Sequence, residues 1–141
     1  MTTSPLSLHL TSATLERLAE RQRETGQTAE QLAEQLIEEG LRMQRHTGIY
    51  FQDGPSGRRP KVLGGPDVWE LVAEIEGLQP DDDTEIEDVA ARMCMAPSRV
   101  RSAIRYYLEF RNEIDAWVDR NNREAEKHER QWRAARGLPP R

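Results

Sequence analysis

Cysteine is almost absent. Cys94 is the only one in 141 residues, so no intrachain disulfide can form and a reducing compartment suits the chain. Aromatic residues make up only 6% and apolar residues 36%, a thin supply for a core. A small helix-rich protein built from this material gains stability from a second copy. Long apolar runs are missing too, and none reaches the roughly 20 residues that a bilayer-spanning helix needs. The first residues carry no signal-peptide pattern, so a cytoplasmic location away from membranes is expected. His9, His46, His128 and Cys94 fall in unrelated segments, without metal-ligand spacing or a nucleophile–base pattern. Gly64-Gly65 has no Walker or dinucleotide pattern around it. No enzymatic activity, no metal and no cofactor is expected.

Charge is plentiful, at 32% of residues and a formal net of -5, but unevenly spread. Residues 66–96 hold 10 acidic groups against 1 basic, whereas residues 97–141 hold 11 basic against 7 acidic. An acidic middle and a basic end exclude one uniform nucleic-acid surface. Within the middle, Asp81-Asp82-Asp83 lacks the ligand order of a calcium loop and reads as a solvated charge run in an acidic loop from Gln79 to Asp83. Periodic patterning runs through most of the chain, which a wholly disordered protein would lack.

The strongest local pattern is Leu6-Ser7-Leu8-His9-Leu10-Thr11, which alternates apolar and polar as a half-buried strand does. A single strand cannot bury its apolar face alone. With no partner strand nearby and two helix patterns following at once, pairing with the same strand of a second copy is expected. The first helix is predicted from Ser12 to Thr25, with Leu15, Leu18 and Ala19 on one face and Gly26 as its stop. Thr28-Ala29-Glu30-Gln31 fits a capping box that opens the second helix, whose apolar face carries Leu32, Leu36, Ile37, Gly40 and Leu41. A free-standing helical hairpin with a disordered start is the blander alternative.

Farther on, Ile49-Tyr50-Phe51-Gln52 and Arg58-Arg59-Pro60-Lys61-Val62-Leu63 read as a hairpin around the turn-rich Asp53-Gly54-Pro55-Ser56-Gly57, with Pro60 confining its strand to an edge. Pro66 suits the first turn of a helix that runs to about Gly77. Thr84-Glu85-Ile86-Glu87 is a second capping box, opening a short helix. Cys94-Met95-Ala96 makes a tight turn, and Pro97 starts one long helix carrying Val100, Ile104, Tyr107, Ile114, Trp117 and Val118. Residues 84–108 thus read as helix, turn, helix. Either Ser98, Arg99, Arg101, Ser102 and Arg105 face a DNA groove, or they form the Arg-rich edge of a small tri-helical core. From Asn121 to Arg141 the chain is almost purely polar, with Trp132 its only large apolar group and Arg130, Arg133, Arg136 and Arg141 punctuating it. Such a segment is marginal as a helix alone, and suits either folding onto a partner or a frayed solvated end.

Two resemblances follow from these residues. Residues 6–43 resemble the ribbon-helix-helix family of the Arc and CopG kind, in strand–helix–Gly26–Thr28–helix order. The resemblance implies a dimer through Leu6, Leu8, Leu10, Leu32 and Leu36. It also implies DNA contacts through the ribbon residues Ser7, His9 and Thr11, with phosphate held at the start of the second helix by Thr28 and Ala29. That polar ribbon face is nearly uncharged here. Residues 58–118 resemble small bacterial antitoxin domains paired with PIN-like ribonuclease toxins. The resemblance is carried by Arg59-Pro60-Lys61-Val62-Leu63-Gly64-Gly65-Pro66-Asp67-Val68-Trp69 and by Val100, Ala103, Tyr106 and Tyr107.

The expected fold is therefore mainly α, with a short N-terminal β-ribbon and a β-hairpin. A ribbon-helix-helix dimerisation and DNA-binding domain spans residues 1–46, a hairpin plus helix-turn-helix-like helical domain spans 47–120, and a basic helical tail spans 121–141. The expected function is that of a VapB-like antitoxin, which neutralises a PIN-like nuclease and autorepresses its operon as a homodimer on operator DNA. Arg130, Trp132, Arg133 and Arg136 are the candidate toxin-binding residues, because Arg forks suit the clustered carboxylates of such nucleases. The competing readings are a stand-alone ribbon-helix-helix regulator and an adaptor dimer without DNA binding.

Overall fold

The computed structural model describes residues 2–75 and 82–141. It divides into two compact units, Met1–Arg42 and Met43–Arg141.

In the first unit, residues 2–11 form neither helix nor strand in the single chain. Helix α1, Ser12–Thr25, starts where Thr11 is extended and its hydroxyl accepts from the Thr14 amide at 3.3 Å. It stops at Gly26, whose φ of 72° is left-handed and whose amide donates to the Gln22 carbonyl at 2.8 Å. The Thr28 capping box forms as the sequence indicates. The Gln31 amide donates to the Thr28 hydroxyl at 3.2 Å, and the Thr28 amide donates to the Gln31 side chain at 3.2 Å. Helix α2, Ala29–Arg45, follows. No residue of α1 is buried, and α2 buries only Leu32 and Glu39.

The second unit contains the core. Strands β1, Ile49–Gln52, and β2, Arg59–Val62, pair antiparallel, with Ile49 opposite Val62 and Gln52 opposite Arg59. Gly54 and Gly57 close the hairpin by exchanging amide–carbonyl bonds of 3.1 and 3.0 Å. Gly57 does so at a φ of 118°, which a side chain resists. Pro60 sits in a two-stranded sheet, where both strands are edges. Among the described residues four helices follow: α3, Val68–Ala73; α4, Asp83–Arg92; α5, Pro97–Glu109; and α6, Arg111–Ala135. Among the described residues Val62, Leu71, Ile86, Val100, Ile104 and Tyr106 lead a buried cluster of fourteen that lies wholly in this unit. Among the described residues no helix is long and apolar enough to cross a membrane.

Several boundaries differ from the sequence expectation. Helix α3 is capped at Asp67, so Pro66 stands before it, and the expected end near Gly77 lies outside the described residues. The expected loop start at Gln79 and Asp81 lies outside them as well. Helix α4 is capped by Asp82 rather than Thr84, the Asp82 carboxylate accepting from the Thr84 and Glu85 amides at 3.1 Å each. Ionised Asp is at least as good a cap as Thr and adds negative charge at the helix start. The turn between α4 and α5 puts Cys94 in the left-handed region, at φ 53°.

The long helix expected from Pro97 breaks at Phe110, where φ is -116° and ψ 39°. The Phe110 ring lies 4.7 Å from Tyr106 and 5.9 Å from His46, and the change of direction lets Ile114 reach the core. The tail does not fray at Asn121. Helix α6 continues to Ala135, across the expected boundary after residue 120. It closes with left-handed Gly137 and a 2.9 Å bond from the Leu138 amide to the Arg133 carbonyl, a Schellman closure.

Tyr107 staples α5 to α6 across the break, donating to Asp115 Oδ1 at 2.7 Å. That hydrogen bond, partial burial and the Asp115 charge push the phenol above its ordinary 10.0, against the opposing Arg111. The folded-state value exceeds that of the unfolded chain, so the bond contributes fully below pH 10 and is lost as the pH climbs through the raised value. Tyr107→Phe is expected to cost about 1 kcal/mol near neutral pH, and less in strong alkali. Urea unfolding of both proteins at neutral and alkaline pH checks this. An equal cost at both pH values would refute it.

Candidate functional site

The N-terminal unit leaves its apolar side chains uncovered. Leu6, Leu8 and Leu10 are 76%, 57% and 41% exposed, and Leu15 of α1 and Leu36, Ile37 and Leu41 of α2 are also exposed. Leu32 departs from the group: it is buried in the single chain and already packed without a second copy. Helical periodicity places Leu15, Ile37 and Leu41 on helix faces without assigning them to an interface.

Ser7 and His9 are exposed. The Thr11 hydroxyl is engaged locally, lying 3.0 Å from that of Thr14 as well as capping α1. At the start of α2, both the hydroxyl and the amide of Thr28 are committed to Gln31, while Ala29 is exposed. An anion seated there would have to use amides beyond that of Thr28.

At the other end, residues 119–132 of α6 are exposed throughout. Trp132 is 52% exposed, and the Arg136 guanidinium lies 4.1 Å from its ring centre. This i,i+4 pair forms a stacked apolar–cationic tip. Arg133 turns back on its own chain, meeting Glu129 at 3.3 Å and the Pro139 carbonyl at 3.0 Å. Arg130 stands exposed one turn before. The structure thus brings Trp132 and Arg136 together, while Arg133 holds the segment that follows α6.

Of the α5 residues, Ser98 and Arg105 are exposed, whereas Arg99, Arg101 and Ser102 are half-buried. Arg101 is held by Asp83 at 2.5 Å. That ion pair neutralises part of the basic edge.

A polar node that sequence reasoning missed centres on Asp67. The Val62 amide donates to Pro66 and the Gly65 amide to Val62, at 3.0 and 2.9 Å, so the chain doubles back and sets Asp67 beside β2. Its side chain is only 6% exposed. It pairs with the Arg59 guanidinium, sits 2.9 Å from Lys61 Nζ, and accepts from Trp69 Nε1 at 3.0 Å. The Asp67 amide donates to Glu70 at 3.0 Å. Arg59 Nε and Asp67 Oδ1 are buried without well-directed hydrogen bonds, so charge alone holds that part of the node. A Cβ at Gly54 would overlap the Arg59 guanidinium where it now lies. The signal lay in opposite charges on either side of a Gly-Gly-Pro turn, and only the folded turn brings them together. Beside the node a cleft of about 200 Å³ is lined by Trp69, Glu70, Trp117, Arg120, Asn121 and Glu124. The Arg120 guanidinium lies 3.9 Å from the Trp117 ring centre.

His46 is buried, with Nε2 2.8 Å from Glu109 and its ring edge-on to Tyr106 at 5.2 Å. Arg45 meets the same carboxylate oxygen at 3.3 Å. This is a satisfied core histidine. Among the described residues no three His, Cys, Asp or Glu side chains converge as a metal-ligand set. Comparison with protein families, curated proteins and solved structures found no match to this chain.

Proposed function

We propose that the chain is the antitoxin of a type II toxin–antitoxin pair, which dimerises through its N-terminal unit, represses its own operon, and neutralises a PIN-like ribonuclease through α6. One observation carries the reading: among the described residues the first unit exposes seven large apolar side chains while burying one, Leu32. A unit of about 40 residues without its own core needs an external partner for stability. Strand pairing between two copies would cover Leu6, Leu8 and Leu10 and satisfy the backbone of residues 6–11 at once. The exposed second half of α6 interleaves Arg123, Lys127, Arg130 and Arg133 with Glu124, Glu126 and Glu129, and its end, where Trp132 and Arg136 stack, supplies a cationic surface for an acidic nuclease site.

The adaptor reading is favoured by one detail. The polar ribbon face is uncharged apart from His9, and the Thr11 hydroxyl is engaged at the α1 cap. His9 decides between them. His9→Ala is expected to weaken binding to the chain's own promoter about tenfold and leave the dimer intact. Anisotropy titration at two salt concentrations checks this, since phosphate contacts weaken as salt rises. No salt-dependent promoter binding by the parent chain would leave the adaptor. The toxin half is tested by copurification with the product of the adjacent gene. A complex that survives deletion of residues 121–141 would remove α6 from that role.

A further inference from the structure

We propose that the cleft beside Asp67 receives residues 138–141 of a second copy of the chain. Its walls are two indoles, Trp69 and Trp117, and the ring of Pro55, and its charged lining sets Asp67, Glu70 and Glu124 against Arg59 and Arg120, leaving one carboxylate in excess. Aromatic-walled grooves take extended proline segments, whose fixed φ lowers the cost of ordering them. The only adjacent prolines in the chain are Pro139-Pro140, and a cation, Arg141, follows them. All three are exposed. Arg141 meets only the outer edge of Glu129, at 3.7 Å and with 81% of its side chain exposed, so little holds it at home.

The tip is pre-shaped for docking. Gly137 and the Leu138–Arg133 bond fix its exit from α6, and Arg133 holds the Pro139 carbonyl. Fixing these residues beforehand lowers the entropy lost on binding. The tip's prolines cannot reach the Trp117 wall of their own cleft. The helix from Trp117 to Ala135 is about 27 Å long at about 1.5 Å per residue. The chain from Ala135 to Pro140 reaches at most about 18 Å, so neither proline touches that indole. The donor is therefore another molecule, and the Leu-Pro-Pro-Arg sequence of a second copy matches the indole walls with its prolines and the carboxylates with its arginine. This contact is separate from the N-terminal dimer and does not rest on the antitoxin reading.

The test uses a fluorescent peptide, Arg-Ala-Ala-Arg-Gly-Leu-Pro-Pro-Arg, titrated with the full chain carrying Pro139→Ala and Pro140→Ala. These exposed substitutions remove competition from the chain's own tips. A saturable rise in anisotropy is expected, weakened about tenfold when both peptide prolines become alanine and about tenfold by adding Glu124→Arg at an exposed site. No saturable binding overturns the proposal. Binding that is indifferent to the peptide prolines or to Glu124→Arg also overturns it, by placing the peptide on another surface.

Discussion

Leu8→Asp is expected to convert a dimer into monomers and to abolish promoter binding with it. Leu8 is the central residue of the alternating segment and is 57% exposed in the single chain, so a charge there costs the isolated copy little. In a ribbon made by two copies the same residue appears twice, because a two-fold interface is self-complementary. Each copy forfeits about 1.5–3 kcal/mol of leucine burial, and each buries a carboxylate without a partner. A total near 5 kcal/mol weakens dimerisation by about three to four orders of magnitude. The second unit, with its own fourteen-residue core, is expected to keep its helical signal and its unfolding transition. Loss of mass without loss of helix distinguishes a broken interface from a broken fold.

Asp67→Ala is expected to have the opposite profile: the second unit loses stability while the dimer persists. Removing the carboxylate strands Arg59 and Lys61, whose side chains are only 20% and 19% exposed, and leaves the Trp69 indole N–H without its acceptor. Breaking one side of a buried ion pair costs about 3–5 kcal/mol, because the remaining charge stays desolvated. For a unit of this size each kcal/mol lowers the midpoint by about 4–8 °C, so thermal unfolding should move down by at least about 12 °C. Replacing Arg59 and Asp67 together, by Met and Leu, should restore much of the loss, since it removes both the charge and its orphaned partner. A shift below 2–3 °C for Asp67→Ala would show, on the same scale of about 4–8 °C per kcal/mol, that solvent reaches the node and screens it.

Local signals in the sequence suffice where one residue type decides the geometry. Gly26 stops α1, Thr28 and Gln31 cap α2, and the Gly54–Gly57 turn closes the hairpin. The signals fail where several residues compete or where partners are distant. Asp82 and Thr84 are both good caps, and the carboxylate took the position. Phe110 carries no helix-breaking signal, and the break there comes from ring packing with Tyr106 and His46. Leu32 and Leu36 share one helix periodicity, yet one is buried and the other exposed, a difference that only tertiary packing sets. The Asp67 node joins residues on either side of a turn, and the cleft adds Trp117 and Arg120 from far along the chain. Of the assigned contact residues, the leucines of the alternating segment and Trp132 with Arg136 are uncovered, whereas Thr11, Thr28 and Arg133 have local bonds of their own.

The central claim, that the N-terminal unit is half of an interface, is tested most directly by the molar mass of the full chain and of Leu8→Asp in solution. Both are measured by light scattering at about 1 μM, a concentration at which a small contact such as a four-residue tip does not hold two copies together. The expected result is twice the 16.2 kDa chain mass for the parent protein, and a single chain mass for Leu8→Asp with helical content of the second unit retained. A parent chain that is already monomeric, or a Leu8→Asp protein that remains a dimer, would contradict it.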